Sequence, residues 1–194
     1  MRHLLISLSL LMLPTLASGE GAFGERLAAA EAGGSGAMLS TGLAYYRGDG
    51  VERDCYEARR WLKRAAEAGE LEAIYLLGTM EDEGSCGLAQ AGSAADYYRR
   101  AAEQGHAGAR FRLGELYRTG RGVEPDEMSA YRWLDAAAAQ GEPRAFCALA
   151  RLYAKGLGGE ASRQKAQRWL RKGMGSRNGE ALELCLEVRA ETGL

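Results

Sequence analysis

Two short motifs and a set of cysteines in the 194-residue chain carry residue types able to do chemistry. Ser162-Arg163-Gln164-Lys165 spells S-x-x-K, the spacing of an acylating serine and the lysine that activates it. Gly-x-Gly occurs in YYRGDGVERD (45–54), in YRTGRGVEPD (117–126) and at Gly156-x-Gly158-x-x-Ala161, the last in the spelling of a dinucleotide-binding turn. Cys55, Cys86, Cys147, Cys185 and His106 are ligand types for zinc. Each meets a contrary context. Neither S-D-N nor K-T-G accompanies Ser162. A phosphate cradle follows a strand and needs a third small residue near the helix start, whereas Gly120-x-Gly122 follows a helical pattern and runs into Val123, Glu124 and Pro125. The cysteines lie far apart in sequence, and His106, in a turn between helices, reads as a solvated side chain rather than a catalytic base. The expectation is no catalytic residue, no metal and no cofactor.

The elements that must position these residues emerge when the chain is slid along itself by 36. Gly33, Gly69, Gly105 and Gly141 align, as do Trp61, Tyr97, Trp133 and Trp169, then Gly48, Gly84, Gly120 and Gly156, and finally Ala37, Ala73, Ala109, Ala145 and Ala181. No insertion or deletion is needed. Each unit divides into two helical patterns. In the third, Ala109, Leu113, Leu116 and Tyr117 share one face, and Ala130, Trp133, Leu134 and Ala137 share another. Asp126 is the expected N-cap of the second helix, and Gly141 falls where a C-capping glycine belongs. Gly-x-Gly is then a reversal loop, in which Gly120 takes the left-handed conformation, Gly122 relaxes the turn and Val123 tucks into the hairpin. Ser162 occupies the column of Asp54 and Asp126, which makes it an N-cap. Neither helix of a hairpin can bury its apolar stripe alone, so successive hairpins must stack. The tryptophan column reads as core packing.

Composition agrees with this picture. A chain 46% hydrophobic and 26% charged is long enough for one well-buried domain, and 27 glycines beside three prolines favour helices broken by turns. A net charge of −1 gives no footprint for nucleic acid or anionic lipid. MRHLLISLSLLMLPTLASGE joins a basic Arg2, an apolar run from Leu4 to Leu13, Pro14 and small residues. It reads as a signal peptide over residues 1–19, cleaved after Ala17 or after Gly19. The run is too short to span a bilayer, and no cysteine near the cleavage point offers a lipid attachment. The expected location is periplasmic or secreted, without membrane insertion, in an oxidising compartment.

L-G-x-x-Y-x-x-G-x-G-V-x-x-D from Leu113 to Asp126, followed by A-x-x-W-L-x-x-A-A-x-x-G from Ala130 to Gly141, resembles the Sel-one-like repeat family, relatives of tetratricopeptide repeats. Residues 37–70 match as well, apart from Thr41 at a leucine position. The second unit departs with Glu81 for tyrosine and Ser85-Cys86-Gly87 for x-G-V. The fourth departs with Gly159, Ser162, Gly173-Met174 and Arg177. The resemblance implies an all-α fold, a right-handed α-solenoid of four 36-residue hairpins over residues 37–70, 71–106, 107–142 and 143–178. A leading half-repeat at 22–33 and a trailing capping helix at 179–194 complete a single domain over 20–194. It also implies protein binding without chemistry. Exported relatives include regulators of sensor kinases, parts of polysaccharide export machines and immunity proteins against secreted lipase toxins. Some cysteine-rich members are linked to β-lactam binding or hydrolysis. The expected function is to bind, and to regulate or inhibit, one protein partner as a monomer.

Four cysteines allow three pairings, and neighbours in the stack favour Cys55–Cys86 and Cys147–Cys185. Columns that vary between units are where specificity is expected to reside. On the first helices, which in such solenoids line the concave face, these supply Tyr46, Tyr75, Asp82, Phe111, Arg112, Glu115, Arg118 and Arg151 as candidate partner-binding residues.

Overall fold

The computed structural model describes residues 17–87, 89–156 and 162–194. Residues 1–16, and with them most of the expected signal peptide, lie outside the described residues, as do Leu88 and the segment 157–161 containing Gly158 and Gly159. The described residues form ten α-helices: α1 (Ala17–Glu31), α2 (Ser35–Arg47), α3 (Cys55–Glu67), α4 (Leu71–Glu83), α5 (Ala91–Glu103), α6 (Ala107–Thr119), α7 (Glu127–Ala139), α8 (Pro143–Lys155), α9 (Arg163–Met174) and α10 (Gly179–Thr192). They make an all-α solenoid. The pairs α2/α3, α4/α5, α6/α7 and α8/α9 are its hairpins, with α1 packed on α2 and α10 packed chiefly on α8. None of the described helices is long and apolar enough to cross a membrane.

Two kinds of turn repeat. Between units, Gly33, Gly69, Gly105 and Gly141 take φ of 86–99°, and each turn closes with a paired Schellman bond, such as Glu142 N–H to the Ala137 carbonyl and Gly141 N–H to that of Ala138. Within units, Gly48, Gly84, Gly120 and Gly156 end the first helices in the left-handed region. The loop then returns a backbone N–H from Asp54, Gln90, Asp126 or Ser162 to the carbonyl of Tyr45, Glu81, Tyr117 or Tyr153, at 2.8–3.0 Å. Because this closure uses only backbone atoms, Glu81 at the tyrosine position leaves it intact. Glu81 itself is buried and forms an ion pair with Arg59. Gly122 does more than relax its turn: a Cβ there would stand 2.3 Å from the Ala91 carbonyl, so the loop of one hairpin presses on the second helix of the hairpin before it.

Inside the first three hairpins the two helices cross closely at one glycine, where the fourth has Ala150. A Cβ on Gly42, Gly78 or Gly114 would lie 2.9, 2.8 or 2.7 Å from Leu62, Tyr98 or Leu134 respectively. The most deeply buried column of large side chains on the second helices is therefore Leu62, Tyr98 and Leu134, with Leu170 5% exposed. The tryptophan column packs against the core as expected, though less completely than this leucine and tyrosine column. Trp61 is buried, whereas Trp133 and Trp169 are only partly so, and cations lie over the Trp61 and Trp169 rings. Arg64 lies 4.3 Å from the Trp61 ring centroid and Lys172 lies 5.2 Å from that of Trp169. Thr41, in the column of Leu77, Leu113 and Leu149, is fully buried and its hydroxyl finds no hydrogen-bond partner.

Disulfides join Cys55 to Cys86 and Cys147 to Cys185, the expected neighbours. The second explains an anomaly of the fourth unit. Gly173 replaces the alanine of Ala65, Ala101 and Ala137 because a Cβ there would lie 2.5 Å from both sulfurs. On α10, Leu186 stands in the column of Gly42, Gly78 and Gly114. Both Leu186 and Leu182 are exposed on this trailing helix.

Candidate functional site

The first helices of successive units share one side of the molecule, and a cleft of about 340 Å³ opens there. Its walls are Asp82 from α4, Phe111, Arg112, Glu115, Leu116 and Thr119 from α6, Arg121 from the following loop, and Leu184 from α10. Helices α4 and α10 belong to units separated in sequence by the whole of the third and fourth hairpins. They line one cleft because this side of the solenoid curves inward.

The eight candidate residues occupy distinct environments. Tyr46 is half-buried, with the Arg53 guanidinium 5.8 Å from its ring centroid. Tyr75 stacks on His106 at 4.6 Å and 19°. Asp82 pairs with Arg121 and accepts a bond of 3.4 Å from the Tyr98 hydroxyl, which burial pushes up to about 12. Phe111 is 5% exposed, belongs to the core and carries the Arg144 guanidinium 4.8 Å from its ring centroid. Arg118 donates to both carboxylate oxygens of Glu115, from Nε at 2.9 Å and Nη2 at 2.7 Å. That bond raises the pKa of Arg118 against the opposing effect of desolvation, and Glu191 of α10 adds to the rise. Arg151 is buried under α10, its Nε 3.0 Å from Glu191 and its Nη2 3.8 Å from Glu187.

Arg112 differs from the other two candidate arginines. Among the described residues it makes no ion pair and no side-chain hydrogen bond, and its Nε is buried without a partner. The cleft thus combines an uncommitted guanidinium with the apolar edges of Phe111, Leu116 and Leu184, and a rim of Glu115 and Thr119. Asp82, Phe111, Arg112 and Glu115 are brought together; Tyr46, Tyr75, Arg118 and Arg151 do not line this cleft. Sequence reasoning missed Arg121, in the loop after α6, and Leu184, which sits on the trailing helix. The 36-residue periodicity carries no signal for either, since curvature rather than spacing brings them in.

His106 is the clearest correction. It is not a solvated turn residue: its side chain is 18% exposed, its Nδ1 accepts the Ala109 N–H at 3.0 Å as the N-cap of α6, and its Nε2 lies 2.9 Å from Glu72 Oε2. With Nδ1 accepting, the proton resides on Nε2 and is donated to Glu72. Glu72 lies one unit back at the same inter-unit edge, so the stack itself supplies the partner that the linear sequence hides. Ser162 Oγ likewise accepts the Lys165 backbone N–H at 3.2 Å and caps α9, while Lys165 Nζ lies 5.2 Å from the Tyr153 ring centroid. That placement is a helix cap rather than a nucleophile beside its base.

No curated protein matches the chain in sequence. Among solved structures, a Sel1 repeat protein from Oxalobacter formigenes is 30% identical, with a TM-score of 0.80 over 90% of this chain and 70% of that one. The antigen c5321, described as a protective antigen of uropathogenic Escherichia coli strains displaying an SLR fold, is 29% identical, with a TM-score of 0.78 over 89% of this chain and 37% of that one. The immunity protein Pa5087 from Pseudomonas aeruginosa, 19% identical over 91% of this chain and 77% of that one, gives a TM-score of 0.39, too loose a likeness to carry an argument. The Sel1 repeat model matches residues 35–70, 71–106, 107–142 and 143–173, so that the four hairpins are four such repeats and the chain belongs to the Sel1 repeat family.

Proposed function

We propose that the protein is a binding module that holds one protein partner in the groove between α4, α6 and α10, and regulates or inhibits that partner by covering its surface. Arg112 is the observation that carries this reading. A guanidinium without an internal partner among the described residues, beside apolar side chains in a concave site, is suited to a carboxylate of an incoming chain, because a partner that covers the cleft displaces water and strengthens a charge-assisted bond. The finer proposal is inhibition in the periplasm or outside the cell, as an immunity protein against a secreted lipase toxin. Both disulfides support an oxidising compartment. A scaffold for envelope signalling or polysaccharide export would use the same groove.

A photo-crosslinking residue placed at Thr119, on the groove rim, tests the assignment in cells. A discrete covalent adduct is expected, lost when Arg112→Glu is added, and its identification distinguishes a toxin from an export or signalling component. An adduct formed from position 132 on α7 but not from position 119 would place the partner on the second helices and overturn the groove assignment.

A further inference from the structure

The second helices of the four hairpins differ sharply in charge. Counting Arg and Lys against Asp and Glu, α3 carries a net +2, α5 is neutral, α7 carries −1 and α9 carries +5 with no acidic residue at all. Lys165, Arg168 and Lys172, spaced i, i+3 and i+7, fall on one stripe of α9. Together with Tyr153 and Trp169 they line a cleft of about 480 Å³. Among the described residues none of the three forms a salt bridge. Two are held over aromatic rings instead: Lys165 Nζ lies 5.2 Å from the Tyr153 centroid, and Lys172 Nζ lies 4.2 Å from Phe146 and 5.2 Å from Trp169. The rings fix the ammonium groups in place without cancelling their charge. Phe146 and Trp169 stack at 5.7 Å and 20°, and the Tyr153 hydroxyl is tied to that of Tyr131 at 2.9 Å, so the aromatic wall is itself held.

We propose that α9 and the adjoining end of α8 form a second docking surface, separate from the groove, that takes a short acidic segment of a protein. Charge complementarity selects an anion. The other classes of polyanion fit less well. The large apolar side chains exposed among the described residues are Tyr56, Met128, Leu182 and Leu186, none of them on α9, so the cationic face has no apolar anchor to insert into a bilayer. A long polyanion such as duplex DNA would run past α9 onto α10, which carries Glu180, Glu183, Glu187 and Glu191 against a single Arg189. The 12 residues of α9 span about 18 Å, the length of roughly five or six extended residues. The surface therefore fits a segment of that size, its carboxylates meeting Lys165, Arg168 and Lys172.

The test is fluorescence anisotropy of a labelled short glutamate peptide titrated with the whole protein at low ionic strength, beside a glutamine peptide of equal length. Saturable binding of the glutamate peptide alone, weakening as salt is added, is expected. Arg168→Glu/Lys172→Glu should weaken it by about tenfold or more. Arg132→Glu/Arg100→Glu, which places the same charge change in the same repeat columns of α7 and α5, should alter it less than about twofold. Because Lys172 packs on Phe146, Lys165→Glu/Arg168→Glu provides a second reversal that leaves this contact alone, and its loss should match the first. Thermal melting confirms that all variants are folded. Equal weakening by the α9 and the α7/α5 reversals would mean that only total charge matters, and would overturn the proposal. So would absence of binding by the wild type, or tighter binding to phosphatidylglycerol vesicles or to duplex DNA than to the peptide.

Discussion

Gly173→Ala should destabilise the protein only while the adjacent disulfide is present, and that conditional sign is the sharpest test of the packing described above. Alanine occupies this column in the other three hairpins, so the substitution restores the repeat consensus. In isolation it should help, since replacing glycine within a helix is worth about 0.5–1 kcal/mol. The new Cβ, however, would lie 2.5 Å from the Sγ atoms of both Cys147 and Cys185 and 3.4 Å from Phe146 Cβ. Overpacking of this kind costs about 1–3 kcal/mol, which offsets the helical gain and leaves a net loss of up to about 2.5 kcal/mol. For a chain of 194 residues that corresponds to up to about 6 °C in Tm. Cys147→Ala/Cys185→Ala opens a loop with a sequence separation of 38 and should itself cost about 4 kcal/mol in the chain-entropy account. In that background the two sulfurs are gone, and Gly173→Ala should become stabilising by about 0.5–1 kcal/mol. Denaturant melts of the four proteins, followed by circular dichroism with thiol titration to verify the disulfide, close the cycle. Gly173→Ala raising stability in the oxidised parent, or acting with the same sign in both backgrounds, would refute the reasoning.

Thr41→Val keeps the shape of a fully buried side chain and removes a hydroxyl that has no partner, so it should raise stability by about 1 kcal/mol in the same melts. The hydrogen bond from His106 holds the Glu72 carboxyl below the usual carboxylate range. A carboxylate whose folded pKa is depressed stabilises the fold above its unfolded pKa and loses that contribution as pH falls through the folded one, so Glu72→Gln should make the loss of stability on acidification shallower in urea melts run across that range. Ser162→Asp should preserve or improve stability, since aspartate serves the same cap in two other units, and incubation of wild-type protein with penicillin should leave Ser162 unmodified by mass spectrometry. An acyl adduct there would reopen the enzymatic reading.

The 36-residue period made the hairpins legible, because turn glycines and aspartate caps obey local rules that recur whenever the backbone recurs. Gly120, Asp126 and Gly141 take the conformations their types imply. What periodicity hides is anything that distinguishes one position in the stack from another. Gly173 reads as a flaw in the repeat until the disulfide beside it is seen, and the glycines at 42, 78 and 114 reveal their purpose only through the side chain each one admits. Variable columns also proved a poor guide to exposure: Phe111 and Arg151 vary between units yet are covered, the one by core packing and Arg144, the other by α10. Charge shows the same blindness. A total of −1 conceals a helix of +5, since the carboxylates that balance it are carried on other helices.

The two disulfides have a mechanical consequence. Pulled from its ends, a solenoid unravels unit by unit, each contributing its extended length. Here the segments between Cys55 and Cys86 and between Cys147 and Cys185 are closed by covalent bonds, so 31 and 38 residue steps never enter the path of the load. At about 3.5 Å per residue the reduced chain would extend by roughly 240 Å more than the oxidised one. Tension would therefore spend itself on α1, α2, α5, α6 and α7, while α3, α4, α9 and most of α8 stay within closed loops and ready to refold when the force is released.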